Sequence, residues 1–290
     1  MKHFKLAEAK KSIKSFFITA FTLFIITSSF IQGSRVPTPS MEKTILTGDY
    51  TLINKLAYNL TTPRNIPFTN IELPHIELLK WGGPQRNDIV VFEFPGNRDE
   101  IKNRSIDNYV KRCVGVPGDT IEIIDRVVYI NGKEFNIPAH IQYLRLQSYP
   151  EELVEHNIFP KGKSWNSDNY GPLVIPKKND VINLTPKNIS QWETFINREY
   201  GKDVVDIVND KIIIDGKEAN SYKVTDDYFF MMGDNRDNSL DSRYWGFVPR
   251  RNVIGQPVLV YFSWNSDLPW YDIPGLISSI RLDRIGKLLQ

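Results

Sequence analysis

The sequence predicts a mainly β protein: an N-terminal transmembrane helix, then an antiparallel β-barrel or sandwich-like domain carrying an inserted second region. Three observations predict it. Residues 15–32, SFFITAFTLFIITSSFIQ, carry no charge. Segments rich in β-branched and aromatic residues recur between positions 50 and 264. Turn signals separate those segments, with few stretches of helical periodicity between them.

The helix comes first. At about 1.5 Å rise per residue, roughly 18 to 20 residues cross a hydrocarbon core of ~30 Å, so the anchor is placed at 15–33. Lys2, Lys5, Lys10, Lys11 and Lys14 precede it against one acid, Glu8, and only Arg35 follows soon after. That asymmetry puts the tail, residues 1–14, in the cytoplasm and the rest of a single-pass chain on the outer side of the membrane. A cleaved signal peptide is the main alternative. The apolar run is long for one, and Thr27, Ser28 and Ser29 give no clean small-residue cleavage site. A buried helix of a soluble domain would show one polar face, and here only scattered Ser and Thr appear.

The expected strands are YTLINKLAY (50–58), DIVVFEF (88–94), YVKRCVGV (109–116), TIEII (120–124), RVVYI (126–130), KIIID (211–215), YFFMM (228–232) and VLVYFSW (258–264). Pro117-Gly118-Asp119, Asn131-Gly132 and Asp215-Gly216 mark turns. VVYINGKEFN and IIIDGKEAN look alike; two hairpins sharing a turn explain them more simply than an internal repeat. Residues 138–210 are polar and irregular, with a helix expected near 189–201, and read as an insertion between a first core part (34–137) and a second (211–265). The tail, 266–290, is too polar for a second span and suits a short amphipathic helix.

Composition sets the outer limits. The 290 residues suffice for one large domain or two small ones. A net charge of +2 makes no case for a nucleic-acid surface. A single cysteine, Cys113, rules out an internal disulfide framework.

The chemistry starts at Pro37-Thr38-Pro39-Ser40-Met41, just past the apolar run. Prolines on both sides can hold a serine in one exposed rotamer, although most such loops are only linkers. A serine hydroxyl needs a base to become a nucleophile. His3, His75, His140 and His156 are the only histidines, and none sits in a motif with Asp, though triad members need not be close in sequence. Lys111 is the stronger base candidate. It lies in an apolar strand, where desolvation disfavours the ammonium and frees the amine to accept a proton. Arg112 cannot deprotonate. The alternative, a lysine on the strand's solvent face, stays open, because the pleat alone does not decide. The run from Met232 to Gly246 is dense in turn formers and opposite charges, Asp234, Arg236, Asp241 and Arg243 among them. It reads as a hydrogen-bonded scaffold before a solvated loop or a calcium loop, whose spacing and closing Glu are missing.

Four segments, PTPSMEKTILTGDYTLINKLAY (37–58), RNDIVVFEFP (86–95), NYVKRCVGVPGD (108–119) and GDNRDNSLDSRYWGFVP (233–249), together resemble bacterial signal peptidase I, in that family's order. The resemblance implies a serine endopeptidase at the outer face of the bacterial cytoplasmic membrane, removing signal peptides from exported preproteins. Its partners would be those preproteins and membrane lipid, with no nucleic acid, metal or organic cofactor. It implies a dyad of Ser40 and Lys111, with Ser239 orienting the amine and Asp241 paired to Arg243. Thr38 takes the position whose hydroxyl joins the Ser40 N–H in an oxyanion hole. Val36, Pro37, Met41, Ile45, Tyr109 and Val110 would border pockets for small side chains at −1 and −3, the substrate adding as a strand along 108–111.

The sequence departs from the family pattern at Lys43, where proline is common, and at Asn87, where glycine is usual. A proline restored at 43 is expected to be tolerated. Two rival readings remain. Ser40-x-x-Lys43 and Ser167-Asp168-Asn169 are two of three signatures of penicillin-binding proteins, but Lys-Thr-Gly is absent. An anchored β-domain acting as a binding module would not need Ser40, Lys111 and Ser239 together.

Overall fold

The computed structural model describes residues 2–62, 73, 76–103, 107–136, 138 and 140–289. Helix α1 spans Lys2–Ser29 and leads directly into strand β1, Ile31–Arg35. The helix therefore starts within the lysine-rich tail, and residues 31–33 of the expected anchor belong to a strand. Among the described residues, no helix is long and apolar enough to cross a membrane.

The site is built on one antiparallel sheet. Its strands are β1, β2 (Asp49–Asn54), β3 (Ile89–Glu93), β4 (Asn108–Gly115), β9 (Tyr228–Met232), β10 (Val248–Pro249) and β11 (Val253–Ser263), in spatial order β1-β2-β11-β3-β4-β9-β10. β1 and β10 end the sheet without meeting each other, so it is an open half-barrel rather than a closed barrel. A second sheet joins β5 (Thr120–Ile124), β6 (Val127–Ile130), β7 (Lys133–Glu134) and β8 (Tyr170–Val174), in the order β8-β5-β6-β7. Both look-alike segments form hairpins. Asn131 and Gly132 have φ 54 and 73, and Asp215 and Gly216 have φ 48 and 79, the paired positive values of a turn that matches strand twist.

The segment 138–210 does not hang off this core. β8 pairs with β5, and helix α2, Ile189–Tyr200, buries Ile189, Phe195 and Ile196. These side chains share one apolar cluster with Val114, Ile121 and Phe230 from the two sheets and with Phe247 just before β10.

The chain end differs from the expected amphipathic helix. Two short turns of helix, Ile273–Ser278 and Leu282–Arg284, are followed by an isolated bridge from Leu288 to Leu259. Leu289 is buried with Val36, Met41 and Ile45, and Arg284 pairs with the buried Asp49. Charged Arg281, Asp283 and Arg284 interrupt the apolar spacing that one continuous helix would need. Instead the tail packs back onto β11, whose Val260 accepts the Gly286 N–H at 2.8 Å.

Candidate active site

Thr38 is extended, with φ −128 and ψ 152, and Pro39 opens a single 3-10 turn, Pro39–Met41. A proline suits the first position of a helical turn because its φ is preset and its missing N–H has no partner there to lose. The turn is clasped from across the molecule. Asn235 donates its N–H to the Ser40 carbonyl at 3.0 Å and its side-chain amide to the Pro39 carbonyl at 3.2 Å. Gly233 makes that approach possible: a Cβ there would lie 2.6 Å from the Ser40 carbonyl and 2.2 Å from Ser239 Oγ.

Lys111 reaches the same turn from β4. It is 3% exposed and Ser40 is 6% exposed, which removes the solvent-face reading of the lysine. Its Nζ donates directly to Ser40 Oγ. Burial drives the amine down from 10.5 to about 8; Asp241 pulls up, Arg243 pushes down and Asp234 pulls up against it. An amine at that level is half neutral near pH 8, where an ordinary lysine is almost wholly charged, and in its neutral form it can take a proton. Thr38 Oγ1 lies 3.5 Å from Ser40 Oγ.

Asp241 and Arg243 form a buried bidentate pair at 2.9 and 2.8 Å. Burial raises the Asp241 carboxyl, but the charge and hydrogen bonds of Arg243 and the Gly233 N–H together hold it below its usual value. Arg243 also donates to the Arg236 carbonyl at 2.7 Å and the Ser167 carbonyl at 3.3 Å. Ser239 is buried beside Gly233. Among the described residues it makes no hydrogen bond to Lys111; its hydroxyl lies 3.5 Å from the Leu240 carbonyl.

A cavity of about 310 Å³ opens over Ser40 and Lys111. Val36, Pro37, Tyr109 and Val110 line it, as do Thr38, Ser40 and Lys111. Met41 and Ile45 lie deeper, fully buried under Val36.

Sequence reasoning missed a second ion pair. Arg112 Nε and Nη2 bind the two carboxylate oxygens of Asp234 at 2.9 and 2.8 Å. Thr44 donates to the same carboxylate at 2.5 Å. It also missed a brace from the 138–210 segment, where Arg145 binds Asp237 at 2.7 Å and Asp168 at 3.1 Å. The density of charge at 233–243 was the available signal, but nothing in it names the partners.

The remaining candidates are dispersed. Lys43 is exposed and takes φ 72, so the Ser-x-x-Lys rival loses its base. Asn87 takes φ 76, a left-handed conformation that asparagine tolerates in place of glycine. His140 Nε2 lies 3.1 Å from Arg112 Nη2, His156 is exposed, and His75 lies outside the described residues. Among the described residues, no group of three or more His, Cys, Asp or Glu could hold a metal ion.

The profile of the family described as "Signal peptidase, peptidase S26" matches residues 9–264. Signal peptidase I of Buchnera aphidicola (subspecies Schizaphis graminum) is 32% identical, over 96% of this chain and 81% of that protein. Signal peptidase I of Pseudomonas aeruginosa is 28% identical, over 91% of this chain and 78% of that one. A crystal structure of a signal peptidase I from Enterococcus faecalis is 22% identical with a TM-score of 0.30, covering 60% of this chain and 95% of that one. With the profile spanning most of its length, the chain belongs to the signal peptidase family of peptidases, peptidase S26.

Proposed function

We propose that this chain is a membrane-anchored serine endopeptidase that cleaves signal peptides from exported precursors through a dyad of Ser40 and Lys111. The observation that carries it is the buried contact of Lys111 Nζ with Ser40 Oγ, with the amine lowered to about 8. Neutral Lys111 takes the Ser40 proton as Oγ attacks the carbonyl carbon at the cleavage site. The resulting oxyanion is met by the Ser40 N–H and by the Thr38 hydroxyl. Collapse breaks the peptide bond, and the lysine proton passes to the leaving amine. Water then attacks the acyl-Ser40 ester, giving its proton to Lys111, and the serine is restored with the signal peptide's new carboxylate.

The anchor reading rests on the uncharged run 15–32 and the lysines before it. It is supported by Phe16, Phe17, Ile18, Phe21 and Leu23, each more than half exposed on α1, apolar surface that water does not favour and lipid does. The tail would then be cytoplasmic and the β domain on the outer side of the bacterial inner membrane. The test is cleavage of a purified signal-peptide-bearing precursor by wild type and Ser40→Ala in detergent. Wild type should release the mature protein and Ser40→Ala should not. Equal cleavage by both would reject Ser40 as nucleophile. Protease added to spheroplasts should digest the β domain and spare residues 1–14.

A further inference from the structure

The cavity over Ser40 and Lys111 has the end of β1 and the turn that follows it, residues 34–40, along one wall, and the first half of β4, residues 108–111, along the other. Among the described residues, β1 pairs only with β2. β4 pairs with β3 along Asn108–Arg112, but with β9 only from Arg112 onward. Asn108 to Lys111 therefore keep one side open, as β1 does. An extended peptide in the slot can satisfy both open edges with its own backbone.

Side chains on a strand alternate between faces. Along β1, Ile31, Gly33 and Arg35 are exposed while Gln32 and Ser34 are half-buried, and Val36 continues the inward set as a buried residue. A peptide running beside β1 toward Ser40 sends its −1 and −3 side chains inward with Ser34 and Val36. Its −2 side chain then emerges on the face of Arg35. Arg35 lines the cavity, yet among the described residues its guanidinium has no hydrogen bond or ion pair. Arg86, Arg98, Arg112, Arg243 and Arg284 all meet carboxylates. The other outward residues of β1, Ile31 and Gly33, offer no anion.

We infer that Arg35 is a specificity residue that favours an acidic side chain at position −2 of the precursor. The inference rests on the proteolytic reading above. The planar guanidinium fork matches a carboxylate in two hydrogen bonds, and a −2 Asp or Glu would present one at the open rim of the slot.

The test uses three precursors identical except for Asp, Asn or Lys at −2, competed in one tube with the full-length enzyme in detergent. Wild type should rank them Asp over Asn over Lys, with about two- to fivefold in kcat/KM per step, the size of an exposed ion pair. The ranking should shrink in high salt. Arg35→Gln should flatten it and Arg35→Glu should reverse it. A flat ranking by wild type, or the same ranking by Arg35→Glu, overturns the inference while leaving the protease intact. Equal slowing of all three precursors by Arg35→Glu, seen only in anionic vesicles, would assign the guanidinium to lipid headgroups and also overturn it. Failure of wild type to cleave any of the three would remove the proteolytic reading, and this inference with it.

Discussion

Arg112 and Asp234 form a buried bidentate ion pair at 2.9 and 2.8 Å, one residue after Lys111 and one residue before the Asn235 N–H that holds the Ser40 carbonyl. The pair thus ties the strand that carries Lys111 to the loop that clasps Ser40. Removing one partner leaves a charge buried without its counter-ion, which costs about 3–5 kcal/mol. Asp234→Asn should therefore lower the melting temperature by several degrees and slow cleavage at the same time. A melt within a degree of wild type would mean the pair carries no such load.

The lowered Lys111 amine predicts a pH profile. Cleavage should rise about tenfold per pH unit below about 8 and level off above it, since only the neutral amine accepts the Ser40 proton. Stability has the matching sign. Between about 8 and 10.5 the unfolded chain binds more protons at this group than the folded chain does, so stability gains with rising pH across that window. Below about 8 the full penalty applies, roughly 3 kcal/mol for that gap. Lys111→Met gives up one hydrogen bond, worth about 1 kcal/mol, and removes the larger penalty. It should be inactive and more stable than wild type at pH 7, as a denaturant melt will read.

Thr38 Oγ1 stands 3.5 Å from Ser40 Oγ. One preorganised oxyanion donor is worth roughly 10²–10³ in kcat. Thr38→Val, which keeps the shape and loses the hydroxyl, should show that loss in kcat with KM little changed, and Thr38→Ser should recover most of it. Wild-type turnover by Thr38→Val would remove the hydroxyl from the reaction.

Lys43 corrects an expectation. Its φ of 72 is closed to proline, whose ring fixes φ near −65°. Lys43→Pro should distort the turn after Ser40 and lose both stability and activity. Lys43→Gly, free at positive φ, should hold or raise the melting temperature by up to about 1 kcal/mol equivalent. Lys43→Ala should keep its cleavage activity, because the exposed amine touches no reacting atom.

Much of this was legible in the chain. Strands such as Thr120–Ile124 and Tyr228–Met232 fall where their β-branched and aromatic runs lie, because such side chains suit a pleated, buried surface. The two Gly-Lys hairpins were written in Asn131-Gly132 and Asp215-Gly216. Ser40 and Lys111 stood out as a serine between prolines and a lysine among apolar neighbours. Arg112 and Asp234 did not, for their carboxylate–guanidinium contact joins residues 122 apart, and local pattern carries no record of such pairing. β1 was hidden for another reason: Ile31 and Gln32 extend an apolar run that reads as helix until the sheet supplies Asn54 and Ile53 as partners. The tail beyond Pro274 was misread because Arg284 is buried against Asp49 and does not belong to a solvent face.

The central claim is that Lys111 is the base for Ser40, and Lys111→Arg tests it most directly. Arginine keeps the positive charge and much of the length but cannot give up its proton. Single-turnover cleavage of a purified precursor at pH 9 by folded Lys111→Arg enzyme is the measurement. With Lys111 as the base, no product beyond that of Ser40→Ala is expected. Cleavage at the wild-type rate would contradict it.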